Sequence, residues 1–144
     1  MPGAPELVAT MKAYDADCAL VSGGFDFYTR RIRDRLGFDT DQANCLEIQD
    51  GRLTGAVLPP ILGRDAKKAA LERLAAERGI SVEDAITVGD GANDLAMINI
   101  ASLGVAYHAK PVVAAAAAAR IDHNDLTALL WAQGIPRAEW VDAA

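Results

Sequence analysis

The sequence has few cysteines and no long apolar run, and each shortage excludes a class of protein. Its two cysteines, Cys18 and Cys45, lie in apolar segments and lack the spacing of metal ligands. We expect them to be small buried side chains in a reducing, cytoplasmic protein. No segment reaches the about 20 apolar residues that cross a membrane. The start Met1-Pro2-Gly3 has no signal-peptide pattern, so no membrane contact is expected.

Basic residues are also in the minority. The chain has 14 Lys and Arg against 20 Asp and Glu, which gives a net charge of -6. Because this charge opposes binding to a phosphate backbone, nucleic acid is not an expected partner. Hydrophobic residues make up 51% of the chain and charged residues 24%, as in ordinary globular proteins. A length of 144 residues predicts a single domain over 1–144.

Helical and strand patterns alternate along the chain. The predicted helices are 5–14, 25–36, 66–78, 111–120 and 125–133, and the predicted strands are 18–21, 85–88, 103–107 and a short one near 121. The turn signal Gln49-Asp50-Gly51-Arg52 predicts a small β-hairpin inserted at about 43–58. This order indicates an α/β fold, with a mostly parallel sheet flanked by helices.

The most informative stretch is Val88-Gly89-Asp90-Gly91-Ala92-Asn93-Asp94-Leu95. It follows a predicted strand, and ligands of open α/β sheets bind at the carboxyl ends of the strands. Asp90 leaves this edge, and Asp94 caps or opens the next helix. Two carboxylates beside a phosphate suit Mg²⁺, which takes oxygen ligands. An Asx-rich turn with a helix cap explains the same residues equally well.

Two other features are expected at the same sheet edge. Ser22-Gly23-Gly24 joins a predicted strand to a helix, so its hydroxyl and N–H groups could bind an anion. By itself this segment is more typical of an ordinary turn. Lys67 lies in the first turn of a predicted helix, near the apolar stripe that begins at Leu71. Spacing alone favours a solvent-exposed lysine, and Lys68 is nearly as well placed.

Taken together, these motifs resemble the phosphoserine phosphatases of the haloacid dehalogenase superfamily. The resemblance runs from about Pro2 to Leu130 and implies a Rossmann-like core. The segments that carry it are Val21-Ser22-Gly23-Gly24-Phe25, Leu46-Glu47-Ile48-Gln49-Asp50-Gly51, Asp65-Ala66-Lys67, the Gly-Asp-Gly stretch and Ala106-Tyr107-His108-Ala109-Lys110-Pro111.

The resemblance implies Mg²⁺-dependent hydrolysis of a small phosphomonoester through an aspartyl-phosphate, the last step of serine biosynthesis. It implies that Asp90 ligates Mg²⁺, and that Asp94 holds a metal-bound water and orients the lysine. The groups that it places on the phosphate are Ser22, the Gly23 amide, Lys67 and Asn93. This division of roles between metal-binding and phosphate-binding residues suits phosphoryl transfer, which depends on positioning and charge stabilisation.

The sequence departs from this family in two respects. It contains no Asp-x-Asp-x-Thr or Val segment, which supplies the family's nucleophile and general acid, and no helical cap. In the family that first strand is central, between the strands that here end at Ser22 and Val88. Asp15-Ala16-Asp17 precedes a predicted strand and is expected to be a turn at the opposite edge. We therefore expect two unpaired sheet edges and no covalent step in this chain alone.

Three hypotheses stay open at this point. The chain is a core fragment of a phosphatase, a phosphate- or metal-binding remnant that needs a complementing chain or a homodimer, or the phosphorylation domain of a cation-pumping ATPase. The last also uses a Gly-Asp-Gly-x-Asn-Asp run, but Ser22-Gly23-Gly24-Phe25 and the hairpin oppose it. His108 and His123 are expected in loops and receive no chemical role.

Overall fold

The computed structural model describes residues 1–143 and contains alternating helices and strands over that range. Helices α1–α6 span Ala4–Ala13, Asp26–Leu36, Ala66–Arg78, Leu95–Ile100, Pro111–Ala116 and Ala128–Ala132. Strands β1–β6 span Ala19–Phe25, Thr40–Gln49, Arg52–Leu58, Ile86–Gly89, Leu103–Tyr107 and Ala119–Ile121. Short 3₁₀ turns lie at Val82–Asp84, Ala92–Asp94 and Arg137–Glu139. None of the helices over 1–143 is both long and apolar enough to cross a membrane.

A first compact unit comprises residues 1–63 together with the C-terminal segment 125–143. Its sheet has the order β1-β2-β3, with β1 and β2 parallel and β2 and β3 antiparallel. The hairpin between β2 and β3 turns through Asp50 and Gly51, whose φ angles are 49° and 75°. Two successive positive φ angles match the right-handed twist of paired strands, as the Asp-Gly signal predicts.

The C-terminal segment packs on the start of the same unit. Leu129 and Leu130 of α6 are fully buried, and the backbone N–H of Leu126 donates to the carbonyl of Pro2 at 3.2 Å. Thr10 of α1 is completely buried, and its hydroxyl accepts from the backbone N–H of Val141 at 2.9 Å. The C-terminal segment is therefore part of the packed interior of the first unit.

A second compact unit comprises residues 64–124 and contains the parallel sheet β4-β5-β6. Its core consists of Ile98, Ala106, Val113 and Ala114. Helix α4 lies directly against β5, because a Cβ on Gly104 would stand 1.9 Å from the carbonyl oxygen of Ile98. Only glycine allows this approach of helix and strand.

The α/β architecture predicted from the sequence is confirmed, with parallel pairing in both sheets. Over 1–143, β1 pairs with β2 alone and β4 with β5 alone, so each has one unpaired edge. The alanine-rich helix ends at Ala116 rather than 120, because Ala119–Ile121 pairs with β5 instead. The expectation of a single domain over 1–144 stays a prediction.

Candidate functional site

The loop after β4 is organised by one buried carboxylate. The chain leaves β4 at Gly89, passes through a 3₁₀ turn and enters α4 at Leu95. Asp94 is only 2% exposed, and its Oδ2 accepts from the backbone N–H groups of Asp90 and Gly91, each at 3.0 Å. Because the carboxylate binds the amides that precede it, the loop is closed on itself.

Two glycines make room for this arrangement. A Cβ on Gly89 would lie 2.3 to 2.5 Å from atoms of the Asp94 side chain, and one on Gly91 would lie 2.7 Å from Asn93 Oδ1. Neither glycine has a positive φ, so the requirement is for space and not for an unusual backbone conformation. Gly89 therefore allows Asp94 to fold back on its own loop, and Gly91 leaves space for the Asn93 side chain.

Lys67, in the first turn of α3, is the ionic partner of this carboxylate. Its Nζ lies 2.5 Å from Asp94 Oδ1, and the two side chains are 16% and 2% exposed. Lys68, the alternative left open by helical spacing, is half exposed and lies 4.0 Å from Glu72. The structure therefore separates two lysines that the sequence left nearly equivalent.

Asp90 and Asn93 lie in the same loop, and both are exposed. The backbone of Asp90 is held at both ends, since its N–H donates to Asp94 and its carbonyl accepts from the N–H of Lys110 at 3.4 Å. Its carboxylate makes no ion pair or hydrogen bond with any described side chain. Mg²⁺ in phosphate sites often has one or two carboxylate ligands, with water and phosphate oxygens as the others, and an exposed carboxylate at a strand end fits that set. Over 1–143, no group of three or more His, Cys, Asp or Glu side chains is arranged to hold a metal.

The loop after β5 borders the Asp90 loop. His108 has a φ of 44°, and its backbone N–H donates to the carbonyl of Ile121 at 2.8 Å. Its ring Nε2 lies 2.7 Å from the carbonyl oxygen of Asn124, which requires a proton on that nitrogen because a carbonyl only accepts. These contacts make His108 part of the loop framework, in agreement with the sequence expectation.

Ser22 and Gly23 lie within a strand, and not in the loop that their motif suggests. The sequence predicted a strand that ends before Ser22, but β1 continues to Phe25. Val21 pairs with Gln42 and Phe25 with Asn44, so three residues of β1 occupy the space opposite one residue of β2. Ser22-Gly23-Gly24 therefore forms a bulge within β1 rather than a loop before α2.

Asn44 is the residue that sequence reasoning missed. It is 7% exposed, its Nδ2 donates to the carbonyl of Gly23 at 3.0 Å, and its Oδ1 accepts from the N–H of Leu62 at 2.7 Å. The available signal was an asparagine in the otherwise weakly polar run Ala43 to Leu46. Strand asparagines are unusual, and a buried one needs hydrogen-bond partners.

Asp15 and Asp17 lie between α1 and β1, as expected for a turn at the amino end of that strand. Asp15 has a φ of 61°, which is typical of a turn residue. Nearby, burial raises the pKa of the Cys18 thiol to about 11, and the negative charge of Asp39 adds to this. The backbone N–H of Cys18 donates to Asp39 Oδ2 at 2.8 Å. This end of β1 is therefore occupied by structural contacts.

Lys67, Asp90, Asn93 and Asp94 all belong to the second unit, where α3 and the loop after β4 bring Lys67 and Asp94 into contact. Ser22 and Gly23 belong to the first unit. Their convergence with Lys67 on one phosphate stays a prediction.

Comparison with known proteins identifies the family. Residues 1–99 match the model of the haloacid dehalogenase-like hydrolases. The chain belongs to this family. Among its haloacid dehalogenase-like relatives, a phosphoserine phosphatase of Streptomyces coelicolor is 46% identical over 99% of this chain and 35% of its own length. One of Methanocaldococcus jannaschii is 41% identical over 89% of this chain and 61% of its own length.

Solved structures of the family agree with this assignment. A probable phosphoserine phosphatase of Vibrio cholerae, in unliganded form, matches with a TM-score of 0.90 and 39% identity, over 96% of this chain and 43% of that one. A substrate-bound phosphoserine phosphatase complex matches with a TM-score of 0.83 and 40% identity, over 89% of this chain and 61% of that one. The chain thus spans between about a third and three fifths of the length of these relatives.

Proposed function

We propose that the protein provides the phosphate- and metal-binding part of a phosphoserine phosphatase, which hydrolyses L-phosphoserine to L-serine and phosphate. The observation that carries the proposal is the buried Lys67–Asp94 pair beside the exposed carboxylate of Asp90. The relatives at 40–46% identity with that name, and a solved analogue of a phospho-aspartyl intermediate at 40% identity, support the choice of substrate and route.

In this proposal the chain binds and neutralises the phosphate. The Lys67 ammonium offsets the charge of the phosphate oxygens, and Asp94 holds the ammonium in place before the substrate arrives. A charge that is already oriented needs no reorganisation during the reaction, and such preorganised electrostatics are the main contribution to phosphoryl transfer. The remaining phosphate ligands in the proposal are the Ser22 hydroxyl, the Gly23 amide and the Asn93 side chain.

Asp90 is the proposed Mg²⁺ ligand, because its carboxylate is exposed and makes no described ion pair or hydrogen bond. Mg²⁺ supplies positive charge that stabilises the phosphate oxygens. We propose that Asp94 would accept a hydrogen bond from a metal-bound water in addition to orienting Lys67. Both of its oxygens already accept hydrogen bonds from the protein, so this second contact uses the lone pairs that remain.

The 144 residues contain no Asp-x-Asp-x-Thr or Val segment that could supply the nucleophilic aspartate of the proposed reaction. We propose that a complementing segment supplies it, either from a longer chain or from a second chain. The unpaired edges of β1 and β4 are places where an added strand could form hydrogen bonds.

A remnant that binds phosphate without hydrolysing it is the alternative function. The relatives compared above are phosphatases, so an ATPase phosphorylation domain is not proposed.

The test is a calorimetric titration of the chain with Mg²⁺ and inorganic phosphate, alone and with a peptide that carries the missing segment. We expect binding in both cases, and release of phosphate from L-phosphoserine only with the peptide. Binding without hydrolysis in either case favours the remnant. Asp90→Asn should abolish Mg²⁺ binding, whereas the matched variant Asp15→Asn should leave it unchanged. An equal loss in both variants would place the metal elsewhere.

A further inference from the structure

The bulge in β1 leaves backbone groups without partners in the strand ladder. The regular pairing of β1 with β2 is interrupted between Val21 and Phe25, where three residues stand opposite one. A bulge of this kind frees N–H and C=O groups that the ladder would otherwise use. Freed N–H groups can bind an anion, but a freed carbonyl in the same place repels one and needs a donor of its own.

Asn44 supplies that donor. It lies on β2 at the point where pairing resumes, and its Nδ2 donates to the carbonyl of Gly23 at 3.0 Å. Its Oδ1 accepts from the N–H of Leu62, at 2.7 Å, in the segment that follows β3. The side chain is 7% exposed, and both of its polar atoms are used. The buried amide of Asn44 therefore replaces a missing hydrogen bond between the strands and also connects the bulge to the segment that contains Leu62.

The bulge has its own internal contact as well. The N–H of Gly24 donates to the Ser22 hydroxyl oxygen at 3.0 Å. Since the hydroxyl oxygen accepts this bond, its proton is free to be donated to a ligand. Gly24 also has little space for a side chain, because a Cβ there would lie 3.3 Å from Ser22 Oγ.

We propose that Asn44 is a positioning residue for the phosphate-binding bulge, an inference that rests on the function proposed above. Its amide binds the Gly23 carbonyl and so turns the 22–24 segment with the Ser22 hydroxyl and the Gly23 N–H available to phosphate. Without the donor, the Gly23 carbonyl loses the side-chain hydrogen bond that fixes its direction, and the segment relaxes toward other conformations. Asn44 does not itself contact phosphate in this scheme.

The experiment compares two variants that separate the bonds of Asn44. Asn44→Ala removes both bonds, whereas Asn44→Asp keeps an acceptor for Leu62 and replaces the donor to Gly23 by a carboxylate oxygen. At neutral pH, the amide hydrogen of Gly24, which donates to Ser22 Oγ, should exchange about tenfold faster in both variants. Both variants should also bind inorganic phosphate about tenfold more weakly. Retention of wild-type exchange by Asn44→Asp would overturn the proposal, since it would show that only the Leu62 bond matters.

Thr29→Val is the matched control, because Thr29 is also buried in the first unit and donates to Asp41 Oδ2 at 2.7 Å. It should lower the unfolding temperature without changing the exchange of the Gly24 amide hydrogen or the affinity for phosphate. A change as large as that in Asn44→Ala would mean that general destabilisation explains the effect, and would overturn the proposal.

A measurement on the unaltered chain covers the case in which the variants do not fold. Nuclear magnetic resonance should find at least one Asn44 Nδ2 proton protected from solvent exchange. If both Nδ2 protons exchange as fast as those of an unprotected side-chain amide, the proposal is wrong. Phosphate binding is read separately from exchange. A chain that shows the protection but binds no phosphate contradicts the proposed function, and with it the role of Asn44 in phosphate binding.

Discussion

The Lys67 ammonium lies 2.5 Å from the Asp94 carboxylate, and the Asp94 side chain is 2% exposed. The carboxylate also accepts two backbone N–H groups of its own loop. This pair therefore joins α3 to the loop after β4 and stands in the interior of the second unit. Removing one partner of a buried pair leaves an uncompensated charge, which costs more than the pair itself contributes.

Lys67→Met should accordingly lower the free energy of unfolding by about 3 kcal/mol, measured by urea denaturation. Lys68→Met is the matched control on the same helix turn. Because the Lys68 side chain is 43% exposed and 4.0 Å from Glu72, its loss should change stability by less than about 0.5 kcal/mol. Similar losses in the two variants would show that the Lys67–Asp94 pair is not formed in solution.

Gly89→Ala tests the close approach of the Asp94 side chain. The added Cβ would lie within 2.5 Å of that carboxylate, so the loop must shift. We expect a loss of about 2 kcal/mol in unfolding free energy and weaker Mg²⁺ binding. The control is Gly63→Ala, where no atom lies within 4 Å of the new Cβ and φ is not positive. If Gly89→Ala binds Mg²⁺ with wild-type affinity, the close packing of Asp94 against Gly89 does not shape the metal site.

Thr87 offers a stabilising substitution. It is 4% exposed on β4, and its Oγ1 is the one buried side-chain oxygen or nitrogen in residues 1–143 without a hydrogen-bond partner. Thr87→Val removes this hydroxyl at nearly constant volume and should raise the free energy of unfolding by about 1 kcal/mol. Thr29→Val, which removes the hydrogen bond from Thr29 to Asp41, should instead lower the free energy of unfolding. Thermal unfolding of both variants checks the two signs.

Cys18 should react slowly with alkylating reagents near neutral pH. Burial raises the pKa of its thiol to about 11, so little thiolate is present at pH 8. Mass spectrometry after iodoacetamide treatment should show a modification rate that rises about tenfold with each pH unit and levels off only above the pKa of about 11. Prompt modification at pH 8 would show that the pKa of this half-buried thiol is not raised.

The same shift has a consequence for stability. The unfolded thiol ionises near its ordinary pKa of 9.0, whereas the folded one holds its proton to about 11. The unfolded state therefore binds fewer protons between these values, and stability contributed by Cys18 is complete below pH 9 and declines as pH rises toward 11. Replacing Cys18 by serine should remove this part of the decline.

Local signals were sufficient for several elements. The helix 66–78 was predicted at the bounds of α3, because Gly79 ends it in the left-handed conformation that glycine favours. The Asp50-Gly51 hairpin was predicted for a similar reason, since both residues accept positive φ angles. Such elements are determined by their own residues, so no distant contact was needed to find them.

The extent of β1 could not be predicted in this way. Ser22-Gly23-Gly24 is typical of a turn, and its place within the strand depends on pairing with β2 and on the amide of Asn44, 21 positions from Gly23. A hydrogen bond between such distant residues leaves no periodic pattern in the sequence. The bulge and its buried asparagine therefore emerged only in the folded chain.

The sequence alone determined the family motifs, the α/β order and the candidate residues, because glycines, carboxylates and apolar periods act over a few residues. Tertiary structure decided between Lys67 and Lys68. Both occupy the first turn of α3, and only the packing of that helix against the loop after β4 brings one ammonium to a buried carboxylate. A buried charge is stable only with a partner, and that partner is 27 residues away.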